Sequence, residues 1–198
     1  MSRLYLSAEM RRAEAIAAVI GLAARSDPAD ITTGQIAAAM GASQGALFRH
    51  FPDKQSIWTA VLDWTCTELQ RRFDAIVPLP PLARLEAILA AHIGFIMENT
   101  GVPRILWGEL QRVGETPAKA IVRQLMATYR ARVAGELSAA HAAGQIAVDA
   151  DLEAATVMFL ALVQGLVMQA LAIDDFSALP AMSKRHFALF CRSLEAVK

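Results

Sequence analysis

Residues 32–51, reading TTGQIAAAMGASQGALFRHF, constrain this chain more than any other part of it. They spell two short helices around a tight turn. Thr32 can cap the first helix through its hydroxyl, and Gln35, three residues on, can return a bond to the backbone of the cap residue, completing a capping box. Ile36, Met40 and Leu47 supply apolar anchors at helical spacing. Ala37 leaves room for the two helix axes to cross closely. Gly41 stands at the sharp turn, where a positive φ would be costly for a residue with a Cβ. Ser43 then caps a second helix that turns Gln44, Ala46, Phe48 and Arg49 outward. The pattern is that of a helix-turn-helix, whose second helix can lie in a DNA major groove.

The rest of the chain also reads as helix. Apolar residues make up 55% of it, Ala and Leu abound, and runs of β-branched and aromatic residues at period two are missing, so an all-α fold follows. The spacing predicts about nine helices. The first runs from near Ser7 to about Arg25, with Ile16, Val19, Ile20 and Ala23 on its core face. The fourth starts at an Asp53 cap, carries Ile57, Val61 and Trp64 along one face, and reaches about Val77, where Pro78, Pro80 and Pro81 stop it. A fifth covers about 82–100 with Gly101 as its C-terminal cap, and a sixth runs from Pro103 to near Val113. The seventh, from a Thr116 cap to Gly144, is roughly 40 Å long at ~1.5 Å per residue. The eighth starts near Asp149 and the ninth near Ser183. A boundary inside the fourth helix divides the chain into a three-helix head, 1–58, and a larger helical domain, 59–198.

The net charge is zero, and residues 1–60 carry six Lys or Arg against five Asp or Glu. There is no broad basic footprint. Affinity for DNA must come from a few placed cations, backbone N–H groups at helix starts and doubling by a dimer. Residues 1–6 lack the apolar core of a secretory signal, and Cys66 and Cys191 have no neighbouring His or Cys at metal spacing. A cytoplasmic protein with reduced thiols and no bound metal is the expectation.

Residues 154–173 contain no charge, a length that could cross a bilayer. Thr156, Gln164 and Gln169 lower its hydrophobicity, and no Lys/Arg clusters flank it. A soluble helix apolar all round is normally buried on every side. A four-helix interface with a second copy would do this, with Phe187, Phe190 and Leu194 of the ninth helix completing the bundle. The expected setting is a homodimer through helices eight and nine, not a membrane.

Taken together the chain resembles the TetR/AcrR family of bacterial transcriptional regulators. Thr32, Ile36-Ala37, Gly41-Ala42-Ser43-Gln44-Gly45-Ala46-Leu47-Phe48-Arg49-His50-Phe51, Lys54 and Ile57 fall on the family's Thr…Ile-Ala…Gly-Val-Ser-x-Gly-x-Leu-Tyr-x-His-Phe…Lys…Leu signature. The resemblance covers roughly residues 8–60. It implies an Ω-like homodimer with two DNA-binding heads, in which a small molecule held by the C-terminal domain shifts the head-to-head distance and releases the operator. Two positions depart from the signature. Ala42 replaces the usual Val, and Phe48 replaces a Tyr whose hydroxyl commonly reaches a phosphate, so Phe48 must act through its ring.

Gln44 can form bidentate hydrogen bonds to adenine, the bland alternative being a solvated side chain. Ala46 touches a thymine methyl or merely leaves space, and Gly45 lets the backbone approach a phosphate. Thr33, Ser43, Arg49, His50 and Lys54 are candidate phosphate contacts, beside the Thr32 cap. His50 has local capping or packing as an equal alternative. In the larger domain, His92, Phe95, Trp107, Met126, Tyr129, Met158 and Gln164 combine apolar bodies with polar tips, as a pocket for a small apolar effector requires. The corresponding function is a ligand-responsive repressor of double-stranded operator DNA, needing no cofactor. The alternatives are a helical enzyme with the same head, for which no nucleophile–base pair or Gly-rich phosphate loop is present, and a protein-interaction module.

Overall fold

A computed structural model describes residues 8–195. The expected start of the first helix at Ser7 and the reading of residues 1–6 lie outside them. The described residues form nine α-helices and no strand: α1 Ala8–Ala23, α2 Thr33–Ala39, α3 Gln44–Phe48, α4 Lys54–Asp74, α5 Pro81–Glu98, α6 Gly101–Gln111, α7 Pro117–Ala142, α8 Leu152–Ile173 and α9 Leu179–Ser193.

The chain groups into two compact units. The first takes the chain up to Thr67 together with Asn99–Val122, and the second takes Glu68–Glu98 and the chain from Arg123 on. This grouping differs from a division at residue 58, because α6 joins the N-terminal helices.

In the first unit α1 packs on α2 and α6, and α2 packs on α3. Val19, Ala23, Ile36, Leu47, Phe51, Ile57 and Val61 are buried in its interior. Ile16 and Trp64, expected on core faces, are only half-buried. Gly101 is the first residue of α6 and not the C-terminal cap of α5. Its role is steric: a Cβ there would lie 2.1 Å from the Ile20 carbonyl oxygen and 2.8 Å from the Ala24 nitrogen. Only a residue without a side chain lets α6 begin directly on the backbone at the end of α1.

In the second unit α9 packs on α5 and α8. Leu85, Leu89, Ile93, Phe95, Phe159, Val163, Leu166, Phe187 and Phe190 are buried there. Arg72 ties α4 to α5: its Nε donates to Glu68 at 2.8 Å, both Nη atoms donate to Glu98, and its guanidinium lies 5.3 Å from the Phe95 ring centroid. Arg132 of α7 likewise donates to Asp74 at 2.7 Å and covers the Phe73 ring. The Arg71 and Arg72 guanidinium groups hold the Glu68 carboxyl down to about 2.

Helix ends account for further differences from the sequence reading. Asp151, not Asp149, caps α8, accepting from the Glu153 and Ala154 N–H groups at 3.0 Å. The α9 helix starts at Leu179, ahead of Ser183, because Pro180 sits in the first turn, where its missing N–H has no intrahelical partner to lose. Asp174 ends α8 in the left-handed region at φ 54°. By length and composition α8 could span a bilayer. It is nonetheless two-faced in the fold, with Ala155, Phe159, Val163, Leu166 and Ala170 buried and Val157, Met158 and Met168 exposed.

Candidate nucleic-acid interface

The helix-turn-helix is built as its residues require. Thr32 has extended backbone and its hydroxyl accepts from the Gln35 N–H at 3.2 Å, while the Gln35 side chain accepts from the Thr32 N–H at 2.7 Å. The capping box thus closes two of the orphan donors at the start of α2. Gly41 adopts φ 61°, and the N–H groups of Gly41 and Ala42 return to the carbonyls of Ala38 and Ala37, closing the helix end. Ser43 caps α3 by accepting from the Ala46 N–H at 3.2 Å. Asp53 accepts from the Ser56 N–H at 2.7 Å and opens α4.

The outer face of α3 is free of covering protein in the described chain. Gln44, Gly45, Phe48 and Arg49 are exposed, Ala46 and His50 are half-buried, and Leu47 and Phe51 anchor the helix from below. Phe48 is 41% exposed, a large apolar ring presented to solvent. The Thr32 and Ser43 hydroxyls already serve as caps. Lys54 is engaged too: its Nζ donates to the Ala29 carbonyl at 3.2 Å and sits 5.7 Å from the Trp58 ring centroid.

Two contacts were beyond the sequence reading. Gln44 Nε2 donates to Thr33 Oγ1 at 2.6 Å, joining the first residues of α3 and α2. Arg12 of α1, exposed, donates to the His50 carbonyl at 2.9 Å and lies 4.7 Å from the Phe51 ring centroid. It ties α1 to the end of α3 and sets another cation beside the exposed face. No local signal marks either contact, since the partners are eleven and thirty-eight residues apart.

The effector candidates separate. His92 and Tyr129 meet, with Nδ1 and Oη 3.3 Å apart and ring centroids at 5.3 Å, and Tyr129 stacks on Phe73 and meets Phe159 edge-on. Burial pushes His92 down to about 4 and raises the Tyr129 phenol, so both are neutral at neutral pH. Phe95 is buried beneath Arg72, and Met126 is half-buried on α7. Trp107 is half-buried on α6 and belongs to the first unit.

Met158 and Gln164 do not join the aromatic group, because both lie on the exposed side of α8. Met158 instead lines a groove of about 400 Å³ with Leu162, Leu189 and Phe190 between α8 and α9. Among the described residues no group of three or more His, Cys, Asp or Glu side chains could hold a metal ion. Cys66 and Cys191 are free and half-buried, and burial, with help from Asp63, pushes the Cys66 thiol up to about 11.

The N-terminal residues 15–61 match the family model for bacterial regulatory proteins of the tetR family, and residues 78–168 match that for the tetracyclin repressor-like C-terminal domain. The chain belongs to the TetR family. The two matches follow one another in the order that the helix-turn-helix and the longer helices after it demand. The nucleoid occlusion factor SlmA of Alteromonas mediterranea is 35% identical over 101 residues, which is 50% of this chain and 52% of that protein. The chain therefore spans about half the length of the curated relatives it matches. A TetR transcription regulator from Haloarcula marismortui has the same fold, with a TM-score of 0.80 at 20% identity over 94% of this chain and 98% of that one. The FadR regulator from Bacillus subtilis, solved in complex with stearoyl-CoA, superposes with a TM-score of 0.74 at 15% identity, covering 90% of this chain and 97% of its own.

Proposed function

We propose that this TetR-family chain is a ligand-responsive transcriptional repressor that binds operator DNA as a homodimer and leaves it when a small, largely apolar effector binds. The observation that carries the reading is the α2–turn–α3 unit. Both its helices are capped, Leu47 and Phe51 are buried beneath it, and Gln44, Gly45, Phe48 and Arg49 face solvent. In this reading Gln44 and Ala46 meet base edges. Thr33, Arg49 and His50 join backbone N–H groups in setting the register on phosphates, with Thr32, Ser43 and Lys54 holding the frame that presents them.

The dimer reading is supported by Val157, Met158 and Met168 of α8 and Leu189 of α9, apolar side chains exposed on adjacent helices. A second copy seated there would bury them, and a symmetric pair would double the few phosphate contacts that a neutral chain offers. An apolar effector site at the end of the aromatic row His92–Tyr129–Phe159 is supported by its chemistry, which combines large rings with two neutral polar tips. That a regulator of this fold was solved with stearoyl-CoA supports an effector of long apolar body. The functional division places DNA reading in 1–58 and sensing with dimerisation in 59–198, in a cytoplasmic protein without a membrane span or a catalytic role.

The test is selection of sequences from a randomised duplex pool by the purified protein, followed by titration of the enriched duplex with and without hydrophobic metabolites. Enrichment of a palindrome, with release by at least one metabolite class, is the expected result. Failure to enrich any sequence at low salt refutes the proposal.

A further inference from the structure

We infer that Thr33 is a positioning residue for Gln44, so that α2 and α3 read DNA as one hydrogen-bonded unit; the inference rests on the regulator reading above. The Gln44 amide has two N–H donors and a carbonyl oxygen. One donor goes to Thr33 Oγ1 at 2.6 Å. The second N–H and Oε1 remain, and these are the donor and acceptor that adenine requires at N7 and N6.

Thr33 itself is firmly placed. It follows the Thr32 cap, whose box with Gln35 fixes the first turn of α2, and it is half-buried while Gln44 is exposed. Gln44 directly follows the Ser43 cap of α3. A long, exposed side chain ordered only on meeting DNA loses its rotamer freedom at that moment, which weakens binding. Held by Thr33, it is ordered beforehand. The hydroxyl also keeps its own proton, which a phosphate oxygen can accept, so Thr33 sits between a backbone contact and a base contact. Loss of the hydroxyl by Thr33→Val, which preserves shape, should therefore weaken the preference at the base that Gln44 reads and not merely how tightly DNA is held.

The experiment uses the full chain, a randomised duplex pool, and then labelled duplexes of the enriched sequence with each single base-pair change. Melting temperatures confirm that every variant folds. Thr33→Val is expected to weaken binding to the enriched sequence roughly tenfold and to flatten the preference at one base pair, the same one that Gln44→Ala flattens. Thr33→Ser restores both. The double variant should lose no more discrimination than Gln44→Ala alone. The inference is overturned if Thr33→Val weakens all duplexes by one common factor, if every positional preference survives it, or if the losses from Thr33→Val and Gln44→Ala multiply. A wild-type protein that enriches no sequence overturns the regulator reading instead, and that outcome is separate because it needs no variant.

Discussion

Replacing Gly101 by Ala should destabilise the first unit, against the sign that helix propensity alone predicts. The new Cβ would lie 2.1 Å from the Ile20 carbonyl oxygen and 2.8 Å from the Ala24 nitrogen. Comfortable contact begins at about 3.5 Å, so α1 and α6 must part by roughly 1 Å, and both obstructing atoms are backbone. Forcing an extra carbon into a packed contact costs about 1–3 kcal/mol, the upper end applying where no side chain can swing away. Alanine's better helix propensity returns at most ~1 kcal/mol. The net loss is about 2 kcal/mol, or a fall in Tm of roughly 4–8 °C for a chain of this size. Gly108, in the same helix, is the internal control, because a Cβ there meets nothing within 4 Å. Gly108→Ala should gain ~0.5–1 kcal/mol. Thermal unfolding followed by circular dichroism, at one protein concentration for all variants, measures both. A Gly101→Ala protein melting at or above the wild type would refute the steric argument outright.

Acid should expose the His92 site. Burial sets its folded value at about 4 against an ordinary 6.5, so the unfolded chain takes up a proton first and stability falls as pH drops from 6.5 to about 4. The loss is on the order of 3 kcal/mol at ~1.4 kcal/mol per pH unit. His92→Gln should remove that slope in urea titrations run across the window, and an unchanged slope would assign it elsewhere. Leu189→Glu, at a position 56% exposed on α9, should yield monomers in sedimentation velocity; persistence of the wild-type dimer would place the interface on another face. Phe48→Tyr restores a hydroxyl on the exposed face of α3 and should tighten operator binding roughly threefold. The salt slope should stay the same, since a neutral hydroxyl displaces no counterion. A changed slope or weaker binding would contradict a phosphate within its reach.

What was legible in the sequence was what is decided locally. The Thr32–Gln35 box, the Gly41 turn and the Ser43 and Asp53 caps each involve residues within five positions of one another, and all are present in the fold. Gly101 carries no local sign of its role, because its reason for being glycine lies some eighty residues away, on the backbone of α1. Its place after an apolar helix is that of an ordinary helix end. The exposed side of α8, where Met158 and Gln164 lie, is not legible because this helix is apolar around its whole circumference and its pattern carries no phase from which to choose a face. A start of α9 near Ser183 sets the helix too late, because Pro180, which reads as a helix breaker, is accommodated in its first turn. The Thr33–Gln44 bond joins two polar residues whose separate roles were each plausible, and only their proximity links them.

The arrangement around Arg72 has a mechanical consequence. A single guanidinium reaches Glu68 in its own helix and Glu98 at the end of α5, and rests on Phe95 between them. Sliding or twisting the last turns of α4 against α5 by a fraction of a turn would break the Glu98 and Phe95 contacts together, while Glu68 moves with Arg72 and keeps the guanidinium aimed. Residues 68–74 therefore travel with α5 as a block or snap free of it. Added salt should loosen the latch, because its Glu98 arm is exposed.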